Sequence, residues 1–162
     1  MTVLLGLMTV TFYYAMNLAN VQVILKDGMA LRARVVMLTA EESELGKYFQ
    51  QSFLERDTAL QTVHNGTSPY QNYNIRGIDH RLDMDFTWIW PWDESVKVDI
   101  TERIPRIDGR AKGSAAEALV AQYGDKALYP PQWQAARYRV VLVKENGQWR
   151  IKSLTLLNTL AE

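Results

Sequence analysis

Two polar residues lie on predicted strand faces that are otherwise apolar. In the segment VKVDITERIPRI, Glu102 has the parity of the valines and isoleucines, and in IRGIDHRLDMDFTWIW, His80 has the parity of the apolar residues. Because side chains alternate between the faces of a strand, both are predicted to point inward, with Tyr138 opposite on a third strand. A His–carboxylate pair beside a phenol could act as general acid and base. An ordinary internal hydrogen-bond network fits the same residues, and both interpretations stay open.

The stretch FTWIWPWDE is the second group of interest. Phe86, Trp88 and Trp90 continue the parity of the covered strand face, and Trp92 follows Pro91, which ends the strand. We favour the interpretation that these side chains extend the buried face and line the interior of the sheet. Two other interpretations are a ligand pocket lined by indoles and an interfacial patch beside a membrane.

Composition excludes several kinds of site and partner. The chain has 18 basic and 18 acidic residues, so its net charge does not attract nucleic acid or anionic lipid. It has no cysteine, which excludes disulfides, thiol nucleophiles and thiolate metal sites. Asp79, Asp83 and Asp85 alternate outward along the strand rather than converging on a metal. We therefore expect no metal, no cofactor and no nucleic-acid partner.

The N-terminal segment carries no charge from Met1 to Leu25. As a helix of that length it would cross the roughly 30 Å hydrocarbon layer, so residues 1–25 are predicted as a transmembrane helix and residues 26–162 as the folded domain. A buried core helix is the alternative, because Asn17, Asn20 and Gln22 dilute the apolar character. A cleavable signal peptide fits less well, because a charged leader and a small-residue cleavage site are missing.

The orientation of this span is ambiguous. Lys26, Arg32 and Arg34 follow it, and taken alone they favour a cytoplasmic C-terminal side. A basic stretch upstream would reverse that preference.

Helical spacing continues beyond Leu25, so the span is predicted to run directly into the first helix of the domain, with Gly28 as a kink. Thr39 to Glu42 matches a capping box, and the apolar stripe of Leu45, Tyr48, Phe49 and Phe53 predicts a second helix after it. A short helical turn is expected after Asp57.

The second half of the chain reads as strands. A long strand begins at Tyr73. The segment VKVDITERIPRI predicts a second strand, which Pro105 and the turn signal Asp108-Gly109 bring to an end. A short helix with Ser114 as N-cap and Gly124 as C-cap follows. The segments RYRVVLV and QWRIKSL flank Glu145-Asn146-Gly147, which predicts a type I′ hairpin. The fold class is therefore α+β, with N-terminal helices packed on a strongly curved, cone-shaped antiparallel sheet of about four strands.

The tail YRVVLVKENGQWRIKSL, the Trp-ended strand and the Val-x-Val-x-x-x-Glu strand resemble the nuclear transport factor 2-like (cystatin-like cone) superfamily. A helix entering such a domain directly from a membrane span resembles the extracytoplasmic domains of bacterial conjugation and type IV secretion assembly proteins. The resemblance covers about residues 26–158 as a pattern of elements and apolar spacing.

Two functions follow as expectations. The first is a membrane-anchored, non-enzymatic extracytoplasmic domain that assembles with itself or with envelope proteins, as the secretion resemblance implies. The second is a small-molecule-binding or acid–base enzyme. Superfamily members of that kind, such as isomerases, cyclases and dehydratases, place an Asp or His base in the cavity. In this chain such an enzyme would use His80, Glu102 and Tyr138.

Overall fold

The computed structural model describes residues 2–161 as an α+β fold with one long N-terminal helix and an open four-stranded antiparallel sheet in the order β1-β2-β3-β4. The predicted α+β class and the four antiparallel strands are confirmed. The helices are α1 (Thr2–Val36), α2 (Gln51–Leu54), α3 (Thr58–His64) and α4 (Gly113–Tyr123), and short 3-10 helices cover Glu42–Lys47 and Asp125–Leu128. The strands are β1 (Tyr73–Met84), β2 (Ser95–Ala111), β3 (Ala136–Glu145) and β4 (Gln148–Thr159).

Helix α1 has two halves with different surroundings. Residues 3–13 are exposed around the whole circumference, and burial begins only in the second half, where Val21, Leu25 and Met29 recur every fourth residue and are fully buried. The predicted continuity of the N-terminal helix into the folded domain is confirmed, because one helix contains both halves. Since Val21 and Leu25 belong to the core, the predicted boundary at residue 25 falls inside the segment that packs on the domain.

The exposed half of α1 is also the apolar half. Val3 is 83% exposed, and α1 is the one helix among the described residues that is long and apolar enough to cross a membrane. A core helix of a soluble domain would bury such side chains. Its length and composition fit a membrane anchor or a signal sequence.

Gly28 does not end or interrupt α1. A Cβ at this position would lie 2.9 Å from the Cβ of Tyr48, which is closer than two such carbons can approach. The residue therefore lets the segment after α1 pack directly against the helix, while the kink at Gly28 stays a prediction.

The second predicted helix is shorter and differently capped. Thr39 donates its hydroxyl to the carbonyl of Arg34 instead of capping a new helix, and Glu41 is the N-cap of the 3-10 turn without a side-chain bond. The capping-box prediction is wrong because the hydroxyl is used to close the end of α1. The helical turn predicted after Asp57 is confirmed as α3, with the Asp57 carboxylate accepting from the Ala59 amide at 3.2 Å.

The strands confirm the alternation and correct several ends. β2 continues through Pro105 to Ala111, because a register irregularity opposite Asp79–Arg81 accommodates the proline. The hairpin is confirmed, with Asn146 and Gly147 at positive φ values of 52° and 79°.

The core lies between α1 and one face of the sheet. The even positions of β2 turn toward α1, where Val98 and Ile100 are fully buried, and Val140 and Ile151 complete the layer from β3 and β4. Helix α4 packs outside this core; it starts after Lys112, without the predicted Ser114 cap, and ends at Gly124 as predicted.

Candidate functional site

The four aromatic residues predicted to line the interior are on the surface. Phe86 is 79% exposed, Trp88 54%, Trp90 40% and Trp92 67%, so the buried-face interpretation is wrong. β1 ends at Met84, and the chain leaves the sheet before the tryptophans. Because these residues are not paired in the sheet, strand alternation no longer decides which of their side chains face the core.

Ile89 takes the inward position instead. It has the opposite parity to the tryptophans and is fully buried in the core. Asp85 still donates its backbone N–H to the Asp99 carbonyl at 2.9 Å, but the residues beyond it form a loop. The aromatic side chains are therefore displayed around a single apolar anchor.

The predicted pairing of His80 and Glu102 is present. Nε2 of His80 lies 3.0 Å from Oε1 of Glu102, and Nε1 of Trp133 donates to the other carboxylate oxygen at 3.4 Å. Glu102 is fully buried and the His80 side chain is 6% exposed. Each carboxylate oxygen thus has a donor, which is what a carboxylate in an apolar layer requires.

A second buried polar pair lies beside the first. Arg32 on α1 makes two bonds to Asp57 at the start of α3, at 2.5 Å from Nε and 2.9 Å from Nη2. Burial acts to lower the pKa of Arg32, but the hydrogen bond and charge of Asp57, with smaller contributions from Glu102 and Tyr138, leave it raised. This bidentate pair ties α1 to α3.

Tyr138 is half-buried on β3, as predicted, and lines a pocket of about 700 Å³ together with Arg32 and Asp57. Burial, and next the charge of Glu102, raise the pKa of Tyr138. Burial also raises the pKa of Tyr70, on the pocket wall, to about 12. Both phenols are therefore neutral hydrogen-bonding groups near neutral pH.

The pocket and the His80–Glu102 pair are separated. Trp133, which stacks on Tyr70 with ring centroids 6.4 Å apart, forms part of the pocket wall and donates to Glu102 from behind it. His80 lines a different depression, with Lys26 and Arg76 on its rim. A ligand in the large pocket would meet Tyr70, Tyr138 and Trp133, but not the predicted base.

His80, Glu102, Trp133, Arg32 and Asp57 together form a buried polar cluster. Sequence reasoning does not identify the last three as members of it. The positive-inside rule counts Arg32 as a charge that sets membrane orientation, but its position continues the helical spacing of the core residues Leu25 and Met29. Asp57 was recognised only as a helix start. Trp133, after the Pro-Pro segment, gave no periodic signal.

Metal binding finds no support in the geometry of residues 2–161, where no three candidate ligands from His, Asp and Glu come together. Asp79 is held by Arg81 at 2.7 Å, and Asp85 pairs with Arg137. These aspartates serve ion pairs on the outer surface.

Comparison of the chain with protein-family models, with curated proteins and with solved structures gave no significant match.

Proposed function

We propose that this chain is a membrane-anchored, non-enzymatic extracytoplasmic domain that acts in protein–protein assembly. The observation that carries the proposal is α1, whose apolar first half lies outside the globule while its second half is part of the core. A continuous helix of this kind would hold the folded domain at a fixed distance from the membrane.

The polar cluster supports a structural role over catalysis. Both oxygens of Glu102 are occupied, the carboxylate is fully buried, and its partner His80 is nearly so. A general base must be reachable by the proton it removes. Here Trp133 stands between Glu102 and the large pocket, and the depression that His80 lines does not include Tyr138, so the three groups do not face one ligand.

The sheet edge offers a surface for assembly. The start of β4 is covered on its outer edge, where Ile151 exchanges backbone hydrogen bonds with Tyr48 and Gln50. Beyond that point β4 pairs with β3 on one side only within the described residues, and its final part exposes Leu156 and Leu157, at 53% and 40%. An edge strand with unpaired backbone groups and exposed leucines can accept a strand from another chain. We propose that a second copy or an envelope protein docks there.

The proposal includes membership of the nuclear transport factor 2-like superfamily, with the sheet curved as a cone, and the likeness to secretion and conjugation assembly proteins. It is supported by the order of the elements, in which helices precede four antiparallel strands and a helix is inserted between β2 and β3. The extracytoplasmic side follows from that likeness.

A cysteine scan tests both parts, because the chain has no native cysteine. In intact cells, Glu117→Cys on the exposed face of α4 should react with a membrane-impermeant maleimide. Labelling only after permeabilisation would place the domain in the cytoplasm. In the same cells, Asn158→Cys on β4 should form disulfide-linked complexes under mild oxidation. Glu117→Cys is the control and should form none. If both variants cross-linked to the same small extent, assembly at the β4 edge would be contradicted.

The pocket favours a second function, the binding of a small molecule. Its walls combine the two neutral phenols with the Trp133 ring and the cations Arg56 and Lys152. Such a lining fits an amphipathic ligand with an aromatic or aliphatic body. A thermal-shift screen of aromatic carboxylates against the wild type and Tyr138→Phe tests it; stabilisation lost in Tyr138→Phe would support binding, and the absence of any stabilising compound would count against it.

A further inference from the structure

We propose that the loop of residues 85–94 is a membrane-interface platform, and that its aromatic side chains rest in the headgroup layer of a zwitterionic bilayer. The inference rests on the membrane anchoring proposed above and assigns a role to the aromatic residues that the core does not use.

The loop is held in place at several points. Ile89 is buried in the core, and the Glu94 carbonyl accepts from the Lys144 amide at 2.8 Å. Within the loop, the Trp90 amide donates to the Asp93 carboxylate at 2.7 Å. The exposed aromatic rings are therefore presented by an anchored backbone.

The rings form a continuous series that reaches α1. Trp90 and Trp92 are stacked with centroids 5.0 Å apart and planes 9° from parallel, and Trp88 lies 5.3 Å from Trp90. Trp88 also packs on Tyr14 of α1, with centroids 4.7 Å apart. A second contact comes from Asn17, whose side-chain amide donates to the Pro91 carbonyl at 3.4 Å.

The contact with α1 occurs where the helix leaves the protein. Before Tyr14 every described side chain of α1 is exposed, and residues 3–13 extend about 16 Å beyond this level at the rise of an α-helix, which is about half of the roughly 30 Å hydrocarbon layer. If that apolar part lies in hydrocarbon, the tryptophans stand at the boundary between hydrocarbon and water. Indole rings prefer this depth, because they combine a large apolar body with a polar N–H.

The charge of the loop selects the type of lipid. Residues 85–94 contain Asp85, Asp93 and Glu94 and no basic residue, while Arg137 pairs with Asp85 and the Lys144 ammonium donates to the Pro91 carbonyl at 3.3 Å. Three acidic groups against two basic ones leave no net positive charge to attract an anionic surface, whereas the ammonium groups of choline or ethanolamine headgroups interact favourably with aromatic faces. Zwitterionic lipid is therefore the fitting occupant.

Tryptophan fluorescence of the full chain in liposomes tests the proposal. Liposomes of zwitterionic lipid brominated near the top of the acyl chains quench indoles that lie at that depth. The control is the triple variant Trp88→Phe/Trp90→Phe/Trp92→Phe, which keeps only Trp133 and Trp149 and changes exposed positions alone. The three loop indoles, obtained by difference, should lose a larger fraction of their intensity than the two indoles of the control, because interfacial indoles lie at the depth of the bromine.

Flotation of the same liposomes separates the possible failures. If the chain floats with the lipid and the loop indoles are quenched no more than the control, the platform is refuted and the anchor survives. The loop indoles could instead show a blue shift that grows with the protein-to-lipid ratio, without being quenched by brominated lipid. That result would identify a second copy of the chain as their partner and would also refute the platform. If the chain does not float, both the anchor and the platform are wrong.

Discussion

Replacing Glu102 by glutamine is the sharpest test of whether the buried polar cluster serves stability. Glutamine keeps the shape of the side chain but removes its charge, and it places an amide beside either His80 or the indole N–H of Trp133, where the carboxylate accepted from both. Hydrogen bonds to charged groups contribute about 1.5–3 kcal/mol each to stability. We expect Glu102→Gln to lose about 2–3 kcal/mol in total, because glutamine can bond to Trp133 and to the other tautomer of His80 only through neutral hydrogen bonds, which are roughly half as strong as those to a carboxylate.

For a chain of this length, a loss of that size lowers the melting temperature by about 5–10 °C. The assay is thermal unfolding of the full chain in mild detergent, followed by near-ultraviolet circular dichroism, which reports the packing of the aromatic side chains, Trp133 among them. Glu117→Gln is the matched control, since Glu117 is exposed on α4 and should leave the midpoint unchanged. An unchanged midpoint in Glu102→Gln, with loss of a ligand-binding or catalytic activity, would refute the structural role.

Three further perturbations test other parts of the fold. Asp57→Asn should cost about 3–5 kcal/mol in chemical denaturation, because it leaves the buried Arg32 guanidinium without its counter-charge; wild-type stability would contradict the pairing. Tyr70→Phe should reduce alkaline destabilisation. In the folded protein the pKa of the Tyr70 phenol is raised from 10 to about 12. Its contribution to stability is therefore complete below pH 10 and is lost as the pH rises toward 12. Between these pH values the wild type should lose about 2–3 kcal/mol of unfolding free energy, and Tyr70→Phe should lose less. Gly28→Ala should lower the melting temperature although alanine is the better helix former, since the added methyl would overlap the Tyr48 Cβ; a higher melting temperature would show that the contact yields.

Sequence reasoning succeeded where one local signal determined the structure. Asn146-Gly147 specifies a two-residue turn almost alone, and that turn sets the register of β3 and β4. Alternation also predicted the pairing of His80 with Glu102. That pairing is present although His80 lies at the register irregularity between Asp79 and Arg81, because Glu102 lies in a regular part of β2.

It failed where a tertiary contact overrode the local pattern. Alternation gave Trp88 and Trp90 the buried parity, but the strand ended at Met84, and Ile89 became the inward residue. No residue between Met84 and Trp88 is a strong strand breaker, so the end of β1 carried no local signal. In the same way Pro105 was read as a stop, although an irregularity in the pairing of β2 with β1 absorbs it.

The buried Arg32–Asp57 pair shows a different limit. The two residues are 25 positions apart, and only the packing of α1 against α3 brings them together. The spacing of Arg32 on the helix indicated burial, but the partner of a buried arginine cannot be read from helical periodicity.

The central claim is that the apolar first half of α1 holds this domain to a membrane. The most direct measurement is alkaline carbonate extraction of membranes from cells that express the full chain. We expect the protein to remain in the membrane pellet, and Leu7→Lys/Val10→Lys, which places two charges on the exposed half of α1, to release it. Recovery of the unaltered chain in the carbonate supernatant would contradict the claim.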